Sequence, residues 1–352
     1  MRIYSSRIGH LCWNYDNYLS LIGAIETPVF SVILLDKKIA NKEIFRLLRR
    51  KTYGIYLRNY IFRFTFDIIA KDIRFAKFIV SFESIHNPSF NPHTQYLNIN
   101  IKSKAFNIFN KKFQMQGKPF IALHSRDDRY LGQMGGDGNA HEYRDFDFRD
   151  FTETILKLND RYLFARLGLF EDISLPNLVQ SDTYESDIWD VYLVKYAEFF
   201  VSGNSGVSQI STLLRKPHLY INYTPIRLDH FNSFPSHSLF VPKVIVKIGT
   251  GEELNLKQSL ELCSNWNIHY KGKFFQDKGY KVINNSPSLI RMAVEEMIKL
   301  KEKQFELSKS EEKTKIRLEE ILNNFTEHDH SENIKNFRIS ESFLELFPHW
   351  LD

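Results

Sequence analysis

Cysteine is nearly missing from this chain. Only Cys12 and Cys263 are present among 352 residues, which excludes a disulfide framework and shows no metal-ligand spacing. A reducing cytoplasm is the expectation. Long apolar runs are missing as well. None reaches the ~18 residues that suggest a membrane span. The longest, "TPVFSVILL" (27–35), has the length of a strand. The opening "MRIYSSRIGH" has no apolar h-region, so no secretory signal is expected. No G-x-G-x-x-G follows a strand, which disfavours a dinucleotide site, and no Gly-Lys-Ser/Thr closes a Walker A loop. "GNSGV" (203–207) comes near the G-x-S-x-G elbow of a serine hydrolase but does not match it. Repeats and low-complexity blocks are absent. Of the 12 histidines, only those in "FTEHDHSEN" cluster tightly, and His328 and His330 there suit exposed polar positions better than zinc.

What is present describes a globular α/β protein. Hydrophobic residues make up 43% and charged residues 25%, as in folded domains. With 352 residues, two domains are the natural expectation. Thirty Phe and 17 Tyr predict a core built from large side chains. The net charge of +5 fits anionic partners without selecting one. Gly117 and Pro119 punctuate the chain before a new strand, so a first domain is expected over 1–117 and a second over 118–290. In the second, "SDIWDVYLVKYAEFFVSGNSGVSQISTLLRKPHLYIN" reads as helix, strand, loop, helix, strand. That alternation predicts a parallel sheet with crossover helices. Residues 291–352 hold a highly charged stretch without Gly or Pro, predicted as one long exposed helix, docked along one apolar stripe, in a helical extension.

The first domain carries a basic stretch over 42–63. Lys42, Arg46, Arg49, Arg50, Lys51, Arg58 and Arg63 face one acid, Glu43. Ile44, Leu47 and Leu48 sit at helical spacing, so its first half predicts a basic amphipathic helix. Such a helix fits an anionic membrane surface or an anionic acceptor, and it also fits a plain solvated face.

Four polar clusters each trail a predicted strand or its loop. "IALHSRDD" ends a buried strand in His124, Arg126, Asp127 and Asp128. Ligand sites of α/β proteins lie just past the carboxyl ends of parallel strands. There Arg126 can grip a phosphate with its fork, Asp127 can orient it, and His124 can donate to a ligand oxygen. The second cluster, "AHEYRDFD", brings His141, Arg144, Asp145 and Asp147 after a Gly-rich loop, and the third is Arg166 in "FARLG". In the fourth, "FFVSGNSGVS", a strand runs into Ser205 and Gly206 before a predicted helix. A helix N-terminus there would favour an anion, and it would equally be an ordinary Ser-capped helix. Together the clusters predict one anionic ligand at the carboxyl edge of the sheet.

In their order, "SRIGHL" (6–11), "LHSRDDRY" (123–130), "HEYRDFD" (141–147), "RLG" (166–168), "SDIWDVYL" (186–193), "SGNSGVS" (202–208) and "RKPHLYIN" (215–222) span about two-thirds of the chain. They resemble a bacterial glycosyltransferase family distantly similar to the peptide-O-fucosyltransferase-like superfamily. The resemblance implies a GT-B architecture, with two Rossmann-like domains whose parallel sheets face a cleft. It implies that Arg126, in an H-x-R pattern with His124, holds the donor's diphosphate. It also implies that Ser205 and Gly206 contact the donor and that Arg7, Gly9 and His10 line the cleft. Relatives often read H-x-R-x-G-D, whereas here Asp127 and Asp128 follow Arg126 with no Gly between. GDP-fucose and a CMP-linked acidic sugar both remain open as donors.

The residues support the same chemistry. Glycosyl transfer needs a clamp on the leaving phosphate and a base for the acceptor hydroxyl. Arg126, Arg144 and Arg166 supply cations, and His10 and Asp127 are equal candidates for the base. No convincing D-x-D pair is present, because "DFD" (145–147) suits a strand or helix entry. The expectation is therefore a metal-independent, inverting glycosyltransferase without a resident cofactor. Its cosubstrate is a nucleotide sugar, and its acceptor is a glycan, a lipid-linked acceptor or a protein. It would act in the cytoplasm, with contact to the inner membrane surface. A non-catalytic nucleotide or glycan binder on the same scaffold is the alternative. Nucleic acid is disfavoured, since no recognised module accompanies the modest charge.

Overall fold

The structure is a computed structural model and describes residues 2–23, 30–58, 118–126, 138–168, 173–180, 186–231, 234–235, 237–264, 273–325 and 337–352. Two compact units emerge. The first comprises 1–101, 183–195 and 206–215, and the second comprises 102–182, 196–205 and 216–352.

In the first unit, β1 (Arg2–Ile3), β2 (Ser31–Leu35) and β3 (Gly54–Leu57) form a parallel sheet in that order. Parallel neighbours need crossovers. The helix α1 (Ile8–Gly23) links the first pair and α2 (Lys42–Arg49) the second. The latter is the expected basic helix. It buries Ile44, Leu47 and Leu48, and the Asn41 side chain caps it by accepting from the Ile44 amide at 2.8 Å. Asn41 also donates to the Asp187 carbonyl at 2.9 Å, and the Lys42 amide donates to the Asp187 carboxylate at 3.0 Å. Another helix of this unit is thereby tied to the start of α2.

Two sequence-distant contacts close the first unit. Asp16 and Arg215, 199 residues apart, form a bidentate pair with both bonds at 2.9 Å. Their side chains are only 4% and 8% exposed, so the pair is desolvated. Nearer the start of α1, a Cβ added to Gly9 would stand 2.9 Å from the Cα of Gly206. Backbone packs on backbone there, which only a residue without a side chain permits.

The second unit is built on a seven-stranded sheet. Its strands are β4 (Phe120–His124), β5 (Leu163–Arg166), β6 (Leu178–Gln180), β7 (Phe200–Ser202), β8 (His218–Tyr223), β9 (Ser238–Pro242) and, after a separate antiparallel pair, β12 (Phe337–Ile339). The order is β12-β9-β8-β7-β4-β5-β6, and every pairing is parallel. All residues of β4, β7, β8 and β9 are buried, as in sheets covered on both faces. The expected α/β class is thus observed in both units. The aromatic share fills the core: Phe234 stacks on Phe337 at 5.1 Å, and Phe231, Phe240 and Tyr223 surround them. One antiparallel pair stands apart, β10 (Val244–Lys247) with β11 (Tyr280–Ile283). The helix α3 (Thr152–Leu158) follows a 3-10 turn at Phe148–Phe151, which Asp147 caps by accepting from the Arg149 amide.

The charged tail corrects one expectation. It is not a single exposed helix but two, α6 (Pro287–Glu302) and α7 (Lys309–Asn323). Gln304 and Phe305 turn the chain in the left-handed region, with φ of 53° and 60°. A second helix starts because Ser308 and Glu311 form a reciprocal capping box. Arg338 of β12 secures the break by donating to the Phe305 carbonyl and to Glu311. The expected docking along one apolar stripe is present, with Leu289, Ile290, Ala293, Val294 and Met297 of α6 buried, while most of 301–320 stays exposed. Nor is the extension helical throughout, since β12 adds an edge strand beside β9.

The buried Asp16–Arg215 pair generates a stability prediction. Asp16→Ala leaves the guanidinium desolvated without its partner and should destabilise the protein by ~3–5 kcal/mol. The double variant Asp16→Leu/Arg215→Met should recover most of that loss. Urea unfolding checks both. A single variant within ~1 kcal/mol of wild type would show the pair to be dispensable.

Candidate functional site

The strand order fixes where a site can form in the second unit. From the β4/β7 pair the chain steps outward through β5 and β6 on one side and through β8 and β9 on the other. Connections leaving the carboxyl ends of β4 and β7 therefore diverge, and this switch point is where open parallel sheets bind ligands. His124, the last residue of β4, pairs in register with Ser202, the last of β7. Arg126 lies two residues past the first strand. Gly203, Asn204 and Ser205 follow the second. Two of the polar clusters singled out in the sequence thus meet at one sheet edge.

Each side chain there has a defined neighbourhood. His124 is buried, and its Nδ1 lies 3.1 Å from the Leu167 carbonyl, an acceptor. That bond places the proton on Nδ1 and leaves Nε2 as the acceptor of the neutral ring. Gly168, with φ of +101°, keeps clear of the ring, for a Cβ there would come within 3.1 Å of Nδ1. Arg126 donates to the His141 carbonyl at 3.0 Å and pairs with the Asp145 carboxylate. Burial lowers the pKa of its guanidinium, and Asp145 acts in the opposite sense. Asp127 lies outside the described residues, and the carboxylate observed to orient Arg126 is Asp145. Arg144 is half-buried, with its guanidinium 5.6 Å from the Tyr143 ring centroid. Arg166 is 4% exposed, lies 3.9 Å over the Phe148 ring and donates to Gln180 at 3.2 Å. Those contacts make Arg166 a packed cation within the sheet edge.

The Ser/Gly turn differs from its expectation. The helix after β7 begins at Gln209, not directly after Gly206, and α5 (Gln209–Leu214) has only six residues. Gly206, Val207 and Ser208 form a turn whose carbonyls accept from the Gln209, Ile210 and Ser211 amides at 3.3, 3.0 and 3.1 Å. The chain tightens there because Gly206 packs on Gly9. Ser205 is buried beside Asn204, whose side chain donates to the Thr224 carbonyl at 3.2 Å. Ser205 belongs to the second unit and Gly206 to the first.

Arg7, Gly9 and His10 lie in the first unit. Arg7 is exposed, and its carbonyl accepts from the Leu11 amide in the first turn of α1. His10 is half-buried and meets the Tyr4 ring edge-on at 6.0 Å.

Three further groups were not singled out from the sequence. Lys243 sits between β9 and β10, 3% exposed, and donates to the Tyr143 and Asp145 carbonyls, both at 2.8 Å. Burial pushes its amine down to about 7, against the opposing pull of Asp145. A lone Lys between the apolar runs "SLFVP" and "VIV" was the available signal. Ser202 bonds the fully buried His218 at 2.9 Å, and burial together with His124 lowers the pKa of His218. In the first unit Asp190, on α4 (Ser186–Tyr196), is pushed up to about 7 by burial and by Asp187. Among the described residues no three His, Cys, Asp or Glu side chains gather as metal ligands would.

No protein-family model matches the chain, and no curated protein does. Similar solved structures include ADP-heptose LPS heptosyltransferase II of E. coli. It has 10% identity and a TM-score of 0.49 over 86% of this chain and 98% of that one. A glycosyl transferase family 9 protein of Veillonella parvula has 10% identity and a TM-score of 0.37, covering 81% of this chain and 78% of that one. The glycosyltransferase SnogD of Streptomyces nogalater has 10% identity and a TM-score of 0.24, covering 62% of each chain.

Lys243 should leave a signature in the pH dependence of stability. An ordinary Lys amine titrates near ~10.4, and the folded value is about 7. Between those values the unfolded chain binds more protons than the folded one, so this residue makes stability rise with pH. The slope reaches at most ~1.4 kcal/mol per pH unit. Lys243→Met should remove it. Urea unfolding of both proteins at about pH 7 and about pH 9 gives the two slopes. Equal slopes would mean that Lys243 stays charged throughout.

Proposed function

We propose that the chain is a nucleotide-sugar-dependent glycosyltransferase of GT-B arrangement, metal-independent and inverting, acting on a glycan, lipid-linked or protein acceptor of cell-surface assembly. The observation that carries this reading is Arg126 at the β4/β7 switch point, flanked by Asn204 and Ser205 after β7. Asp145 acts on both Arg126 and Lys243, Asp150 also acts on Lys243, and Arg144 adds a further cation beside Arg126. A diphosphate would balance that surplus, and fixed cations stabilise charge developing on a leaving phosphate. The base that takes the acceptor's proton is His10 or Asp127. The donor is a nucleotide sugar, with GDP-fucose and a CMP-linked acidic sugar both open.

One observation favours a non-catalytic binder instead. Arg126 is already engaged by Asp145 and by the His141 carbonyl. Incubation with each donor in the absence of acceptor separates the two readings, since a binder leaves the donor intact. Transfer activity that EDTA abolishes and Mg²⁺ or Mn²⁺ restores would overturn the metal-independent clamp.

Paired variants test the role of Arg126. Arg126→Ala should weaken donor binding ~10-fold to 100-fold, the effect of losing one charge-assisted contact. Because this variant also strands Asp145, Asp145→Asn is the control. It frees the guanidinium, so donor affinity should hold or rise while thermal stability falls. Thermal shift against a panel of nucleotide sugars reads both properties. A stabilisation of ~2.7 kcal/mol is expected at 100 times the dissociation constant. Equal loss of donor affinity in the two variants would reduce "LHSRDD" to a structural ion pair.

A further inference from the structure

The β2-α2-β3 portion of the first unit exposes two features side by side. One is apolar. Phe30 is 56% exposed, Val32 47%, Tyr53 75% and Ile55 50%. Residues two apart on a strand share a face. Val32 pairs in register with Ile55, and the Phe30 and Tyr53 rings meet edge-on at 5.3 Å. The four side chains therefore form one patch at the amino end of β2 and β3. The other feature is charge. Residues 30–58 contain eight cations and only two acids, Asp36 and Glu43. Both acids are buried and occupied: Asp36 accepts from Ser6, and Glu43 pairs with Arg46. The exposed charges are then all positive: Lys37, Lys38, Lys42, Arg49, Arg50, Lys51 and Arg58. Arg49, Arg50 and Lys51 close α2 and run directly into Tyr53.

We infer that this face docks on an anionic phospholipid surface, with Tyr53, Phe30, Val32 and Ile55 entering the headgroup region and Arg50 and Lys51 meeting the lipid phosphates. An aromatic ring beside exposed cations suits an interface that is apolar below and anionic above. A cation cluster at a helix C-terminus also steadies the helix dipole, but that role does not require exposed apolar neighbours. No described helix is long and apolar enough to cross a membrane, so the contact is peripheral. The inference stands apart from the phosphate site of the second unit and does not depend on it.

Flotation of the full chain with two vesicle types tests it: phosphatidylcholine alone, and phosphatidylcholine mixed with phosphatidylglycerol. The protein should float with the anionic vesicles and stay behind with the neutral ones. Arg50→Glu/Lys51→Glu should lower the partition at least ~10-fold, as expected on reversing two cations near an anionic surface. Tyr53→Ser/Ile55→Ser should lower it by a similar factor, and the residual binding should vanish at high salt. All four positions are exposed, so both double variants should stay folded, with Arg50→Glu/Lys51→Glu lowering the melting temperature only by the small loss at the α2 helix dipole. Flotation that is absent, equal on both vesicle types or unaffected by either double variant would overturn the inference. So would binding to RNA that matches vesicle binding and ignores the Tyr53→Ser/Ile55→Ser change, because that would assign the face to soluble polyanions.

Discussion

Two buried cations hold the segment 141–147, and the candidate site depends on that hold. Arg126 reaches it from the end of β4, and Lys243 reaches it from the junction after β9. Three of their contacts are to backbone carbonyls, so they fix the path of the segment rather than particular side chains. Among the described residues, the carboxylate of Asp145 pairs with Arg126, and Asp145 and Asp150 both act on Lys243. Desolvated cations beside so little negative charge are unstable company, and the depressed affinity of Lys243 for its proton expresses that strain. An edge arranged this way favours any ligand that brings negative charge. This is a physical basis for the proposed anion preference, and it does not require naming the anion.

Much of this was legible in the sequence because it rests on local pattern. Apolar runs bounded by punctuation located β2, β4, β7 and β8. Helical spacing of Ile44, Leu47 and Leu48 located α2 and its buried face. Charges placed directly after a buried run located the edge residues of β4. The paired partners were not legible. Nothing in the spacing says that Arg126 turns to Asp145, 19 residues away, rather than to the adjacent Asp127. Lys243 was hidden for a similar reason, since a single Lys between strands usually marks a turn.

Two misreadings have local causes. The tail resembled one helix because it lacks Gly and Pro, yet Ser308 and Glu311 spell a capping box at its middle, and that signal outweighs helix propensity. The turn after β7 resembled a helix start because Gly206 and the serines suit one. Tertiary packing of Gly206 on Gly9 uses the glycine differently, and the helix begins three residues later. Local chemistry predicted where backbone flexibility would be needed, but only the fold shows what that flexibility serves.

The division of the chain bears on its synthesis. The first unit takes in 183–195 and 206–215, and Asp16 waits for Arg215 across a separation of 199 residues. A ribosome therefore releases α1 long before it makes the helix and the guanidinium that α1 packs against. Through that interval the carboxylate of Asp16 and the bare backbone at Gly9 stay in solvent or in temporary contacts. The unit that starts the chain cannot finish until residue 215 is made, and segments of the other unit are made in between. Contacts so remote in sequence close slowly. A nascent chain stalled before residue 215 would present chaperones with an α1 surface that the finished protein never shows.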